Sequence, residues 1–196
     1  MSAVLVKKYT SLPISEDEIF RYARAGTDIP SSREICRSVI DEALPLLDMK
    51  VCYTELSVSV RDELCDFGYF KINSKSLAKN LFGCERVILF AATVGIGLDR
   101  LITKYSRLSP LRALFSEAVG TERVEAVCDA LALDIAKEYG KKTKPRFSVG
   151  YGDAPLSAQK AIITLLDTAR LIGVSLNESL VMSPSKSVTA FMGIEK

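Results

Sequence analysis

The sequence predicts a fold of the α+β class, and three observations carry the prediction. The apolar spacing switches between a helical period and a strand period, but never in a regular strand–helix–strand alternation. Val87 to Ala92 is one continuous apolar run, as expected of a strand buried on both faces. Leu114, Ala118, Val124, Val127, Leu131 and Ile135 keep one apolar face at helical spacing, which marks a single long helix up to about Tyr139.

In chain order, Ser15-Glu16-Asp17-Glu18 reads as a capping box that opens a short helix through Arg24, with Gly26 to end it. Ser31 and Glu34 repeat that signal. Ile35, Val39, Ile40, Leu44 and Leu47 then give a helical stripe that Pro45 shortens. From Lys50 to Val60, the residues Val51, Tyr53, Leu56, Val58 and Val60 suit strand pairing. Asp66-Phe67-Gly68 predicts a turn, and Tyr69, Phe70 and Ile72 a short strand. Ser74 caps a small helix through Phe82. Ile96 to Tyr105 reads as helix, and Ser109-Pro110 opens the long one with proline at its first position. Residues 145–155 are rich in glycine and proline and predict an ordered loop. Ser157 caps a helix that turns Ile162, Leu165, Leu166 and Ala169 inward and ends at Gly173. Leu176 to Ile194 gives one or two strands broken at Ser183-Pro184. No repeat or low-complexity linker divides the chain, so residues 1–196 read as a single domain with a helix-rich first third.

Composition narrows the function. Lys and Arg total 26 against 24 Asp and Glu, a balance that does not argue for nucleic acid. The one dense basic run, Lys141, Lys142, Lys144 and Arg146, follows the long helix, where cations suit the negative helix end. The five cysteines are odd in number and lack C-x-x-C spacing, so a reducing compartment is expected. Met1 to Thr10 has no apolar stretch after Lys7 and Lys8, and no apolar run reaches membrane-spanning length. The expectation is a cytoplasmic protein with no membrane partner. Asn177-Glu178-Ser179 matches a glycosylation sequon but reads as accidental without an export signal. The chain has no histidine. That removes Ser-His-Asp and Cys-His nucleophiles, histidine zinc sites, and any imidazole ligand this chain could offer to cobalt or haem iron. No catalytic residue and no metal ligand is assigned.

Three segments are candidates for chemistry. Thr93-Val94-Gly95-Ile96-Gly97-Leu98-Asp99 has the setting of a nucleotide-binding turn, but Arg100 stands where a third glycine would fall, and it reads as a plain strand-to-helix turn. Ser183-Pro184-Ser185-Lys186 matches S-x-x-K, but Pro184 and the strand-like flanks favour a polar turn. The loop from Arg146 to Pro155 differs in kind. Arg146 offers a donor fork suited to a carboxylate. Gly150 and Gly152 let backbone approach a ligand, and Tyr151 gives an aromatic face fit for a sulfonium or a planar ring. Composition alone leaves this reading level with a structural Gly-Tyr turn.

Arg146-Phe147-Ser148-Val149-Gly150-Tyr151, then Pro155-Leu156 and Gln159, Leu165-Leu166-Asp167, Ile172 through Ser179, and Pro184-Ser185-Lys186-Ser187-Val188 form an ordered series. This series resembles the C-terminal motifs of the activation (reactivation) domain of cobalamin-dependent methionine synthase. A weaker likeness includes Ala91-Ala92-Thr93 and Pro110-Leu111-Arg112-Ala113, so the family-like core spans residues 85–194. The resemblance implies a curved, mainly antiparallel sheet with packed helices. It implies S-adenosylmethionine as ligand, with Arg146 near its carboxylate and Ser148, Gly150, Tyr151 and Gly152 alongside. It implies a part in methionine biosynthesis: reductive methylation of cob(II)alamin on a corrinoid-binding methionine synthase core protein, with an electron from an external donor. Cobalamin would be held by that partner, and this chain alone would not be a complete methyltransferase. The family domain runs on past its S-V-S motif to an aromatic segment that touches the ligand, whereas this sequence stops at Lys196. It therefore resembles a shortened, free-standing form. The family also has an N-terminal aspartate at the ligand, for which Asp28, Asp41 and Asp48 are the candidates. The competing readings are a non-catalytic S-adenosylmethionine-binding or docking module, and a reactivase of another corrinoid protein.

Overall fold

The computed structural model describes residues 3–25 and 30–195. Strand β1 (Leu5–Lys8) leads to α1 (Glu16–Ala23). The Ser15 side chain caps α1 by accepting the Glu18 N–H at 3.2 Å. Arg24, in the left-handed region at φ 51°, closes it, and the expected terminator Gly26 lies outside the described residues. α2 (Pro30–Ala43) gives way to a 3-10 turn at Leu44–Leu46, as Pro45 requires. Next come β2 (Lys50–Ser57), β3 (Ser59–Arg61), β4 (Leu64–Asp66), β5 (Lys71–Asn73) and α3 (Lys75–Asn80). β6 (Arg86–Thr93), α4 (Ile96–Leu108) and α5 (Pro110–Tyr139) form the centre of the chain. α6 (Gln159–Leu166), α7 (Thr168–Ile172), β7 (Ser175–Leu176), β8 (Met182–Ser183) and β9 (Ser187–Ile194) complete it.

The order β1-β2-β6-β9 makes one sheet, antiparallel throughout. Alternation along β6 divides its side chains between two cores. Ile88, Phe90 and Ala92 face α1, α2, α4 and α5, together with Val51, Ala190 and Met192. Val87, Leu89 and Ala91 face the other way, with Cys52 and Phe191, toward α3, α6, α7 and the small sheet β3-β4-β5. This two-sided burial is why residues 87–92 are apolar without a break. The fold is α+β with packed helices, as the order of elements implied.

Several local readings differ. The alternating stretch from Lys50 divides at Val58, so β2 and β3 enter different sheets. Tyr69 and Phe70 lie in the turn before β5, where the Phe70 carbonyl accepts the Phe67 N–H at 3.1 Å. α3 stops at Asn80, two residues before Phe82. Ser157 does not cap α6, because residues 156–158 form a 3-10 turn and α6 begins at Gln159 without a side-chain cap. The helix expected from there to Gly173 is broken at Asp167, which adopts φ 49°, a conformation short polar residues tolerate.

Candidate functional site

The site is built at the β9 edge. After α5 ends at Gly140, the chain runs back beside β9. Lys144 donates its N–H to the Gly193 carbonyl at 2.8 Å, and Phe147 exchanges both backbone bonds with Phe191 at 2.9 and 2.8 Å. This pairing fixes which way each side chain points. Phe147 turns into the core under α6, so Arg146, one residue earlier, turns toward α5.

There the Arg146 guanidinium meets two carboxylates one helical turn apart. It donates to Glu125 at 2.8 Å and to Asp129. Its side chain is 26% exposed. Burial opposes the charge, but the Asp129 hydrogen bond and the neighbouring acids outweigh it and hold the pKa above its ordinary value.

Beyond Arg146 the loop tightens. Gly150 sits at φ 89° and donates its N–H to Ala154, and Ala154 in turn donates to Tyr151. The far end is docked on α3. Asp153 accepts from the Ser74 hydroxyl at 2.7 Å and from the N–H groups of Lys75 and Ser76 at 2.7 and 3.0 Å. These bonds, the Ser74 hydroxyl first, hold its carboxyl well below the usual range. Gly152 lies so close to α3 that a Cβ would stand 2.6 Å from the Ser76 hydroxyl oxygen. Between the two anchors Tyr151 projects outward, 71% exposed.

Glu125, Arg146, Phe147, Ser148, Tyr151, Val188 and Ala190 enclose a groove of about 340 Å³. That is within the roughly 300–1,000 Å³ of small-ligand clefts. Its floor is apolar, from β9. Arg146 and Glu125 bring its charged groups, and Ser148 and Tyr151 line it from the loop. Of the predicted residues, Arg146, Ser148 and Tyr151 line the groove together. Gly150 and Gly152 shape the loop without lining it. Sequence reasoning did not find Glu125 and Asp129. Their four-residue spacing on a helix was the available signal, but it is also that of any solvated helix face. Neither Asp41 nor Asp48 lines the groove, and Asp28 lies outside the described residues.

Much of the remaining motif series holds the fold. Gln159, 3% exposed, accepts from Thr189 of β9 at 3.0 Å. The Thr168 hydroxyl donates to the Val174 carbonyl. Ser185 donates its N–H and hydroxyl to Asp99 at the start of α4, and Lys186 pairs with Glu117 and reaches Thr121 on α5. The S-x-x-K match is thus a buttress between elements. Gly95 takes part in a turn closed by Thr93, as expected of a plain strand-to-helix connection. All five thiols are buried, and burial pushes Cys36 and Cys65 up to about 11 and Cys52 and Cys128 to about 12, far from the thiolate a nucleophile needs. Among the described residues no helix is long and apolar enough to cross a membrane.

Residues 76–196, more than half of the chain, match the family model described as vitamin B12 dependent methionine synthase, activation domain. Among solved structures, the fold is similar to a crystal structure of the MetH reactivation domain bound to AdoHcy. The TM-score is 0.74 and the identity 14%, over 98% of this chain and 78% of that one. The similarity in fold thus includes the first third of the chain, ahead of the family match. No curated protein matches the sequence.

Proposed function

The chain belongs to the activation-domain family of vitamin B12 dependent methionine synthase, and we propose that it acts as a separate reactivation subunit that presents S-adenosylmethionine to a corrinoid held by a partner methionine synthase core. The observation that carries this reading is the groove itself. It joins a part-buried guanidinium, an apolar floor and an exposed tyrosine on a loop anchored at both ends. The guanidinium suits the ligand's carboxylate, the Tyr151 ring suits its sulfonium, and Val188 and Ala190 suit its apolar parts.

Methyl transfer from a sulfonium to reduced cobalt needs no general base. It needs a donor held in line with the acceptor, which is the contribution left to this chain. The corrinoid, with one electron from an external donor, supplies the nucleophile that takes the methyl group. A chain without histidine is equipped for this division of labour. The working place is the cytoplasm.

Isothermal titration of the 196-residue chain with S-adenosylmethionine, beside Arg146→Ala, tests the site. Saturable binding that the substitution weakens at least tenfold supports it. Absence of heat at millimolar ligand overturns it. A second arm adds a corrinoid-loaded methionine synthase core and a reductant. Binding without methylation in that arm would favour a sensing or docking module over a reactivase.

A further inference from the structure

From the Arg146 cluster we infer that Glu125 is the ammonium-recognising residue of the groove, and that with Asp129 it tunes the site for the cationic methyl donor over its neutral demethylated product. The inference rests on the proposed groove and goes beyond it, because neither acid was part of that reading.

Glu125 lines the 340 Å³ groove and also a second hollow of about 550 Å³ on the other side of Arg146, toward Tyr22 and Leu133. It is the acidic residue common to both and stands 2.8 Å from the guanidinium. A ligand α-carboxylate that takes one edge of the Arg146 fork brings its α-ammonium, one carbon away, within reach of the same Glu125. Glu125 is 39% exposed and Asp129 68%, so both can release the guanidinium without leaving a buried charge.

Charge counting sharpens the point. One guanidinium and two carboxylates leave one net negative charge in the Arg146 cluster beside the groove. A simple carboxylate ligand must displace an acid and adds to that negative charge. An amino acid brings its own cation to the displaced acid. S-adenosylmethionine carries a further positive charge at sulfur, whereas S-adenosylhomocysteine does not. The groove therefore favours the donor and releases the product.

The test titrates the full chain and Glu125→Gln with three probes: S-adenosylmethionine, S-adenosylhomocysteine, and a deaminated S-adenosylhomocysteine that keeps its carboxylate. Glu125→Gln is expected to weaken both amino-bearing ligands about tenfold. It should reduce the preference for the sulfonium about threefold, the effect of one charge several ångströms away in a wet groove. The deaminated probe should bind the variant as well as or better than the wild type, since a competitor for Arg146 is gone. It also serves as the control for folding. Equal tightening of all three probes, or no change, would overturn the inference while leaving the groove in place. Failure of the wild type to bind any probe would remove the groove reading, and this inference with it.

Discussion

Two arginine–carboxylate clusters use acids about one turn apart on α5, and they differ in what they are free to do. Arg123 and Glu122 are 1% and 7% exposed at the side chain, whereas Arg146 is 26% exposed and its acids more so. Both Glu122 oxygens accept from Arg123. Glu122 also takes the Ser15 N–H, and Arg123 donates to the carbonyls of Leu12 and Pro13. The bonds to Leu12, Pro13 and Ser15 fasten residues 12–15 to the long helix, and the bonds within the pair hold the two charges together. At Arg146 the partners are two side chains that water can replace. The same ionic chemistry is thus a staple where it is dry and an exchangeable site where it is wet, because a charge deprived of its partner is costly only away from water.

The largest expected effect breaks the staple. Arg123→Ala leaves Glu122 buried and unpaired and should cost about 3–5 kcal/mol in urea unfolding. A cost below 1 kcal/mol would mean that water reaches this pair too, and the contrast would collapse.

Asp153 sharpens the comparison, because it is exposed yet held by three donors. Its folded pKa is lowered, so its contribution to stability is present above the unfolded value of about 3.9 and is lost as pH falls below that. Melting midpoints from pH 6 down to pH 2 should fall more steeply below pH 4 for the wild type than for Asp153→Asn, which starts lower. Parallel curves would show that the number of donors does not compensate for exposure.

Arg146→Ala should cost about 1 kcal/mol or less in the same unfolding measurement, as for exposed ion pairs, while abolishing most ligand affinity. A loss of the size expected for Arg123 would make Arg146 a second staple.

What the sequence carried follows the same division. Elements with internal repetition were legible: the long helix from its 3.6 period and Ser109-Pro110 cap, β6 from its apolar run. Boundaries set by tertiary contact were not. Nothing local in Asp167 announces a left-handed break, and the division of β2 from β3 depends on which sheet each strand joins. At the site, Arg146, Ser148 and Tyr151 were legible because one loop carries them all. Glu125, Val188 and Ala190 reach the groove, and Asp129 reaches Arg146, only through the antiparallel return beside β9 and the packing of α5, which no spacing along the chain encodes.

The smallest effect on stability is expected at Tyr151, and this is why it is informative. At 71% exposure its ring contributes little to the core, and the loop around it is held by Gly150, Ala154 and Asp153. Tyr151→Ala should therefore change unfolding free energy by no more than about 0.5 kcal/mol. A folding-neutral side chain on an anchored loop can still matter for binding. If its ring lies against the sulfonium, Tyr151→Ala should weaken S-adenosylmethionine a few-fold more than S-adenosylhomocysteine, since only the cation gains from the ring face. Tyr151→Phe, which keeps the face and loses the hydroxyl, should restore the difference. Equal weakening of both ligands by Tyr151→Ala would place the sulfur away from the ring and leave the acids beside Arg146 as the source of any preference for the donor.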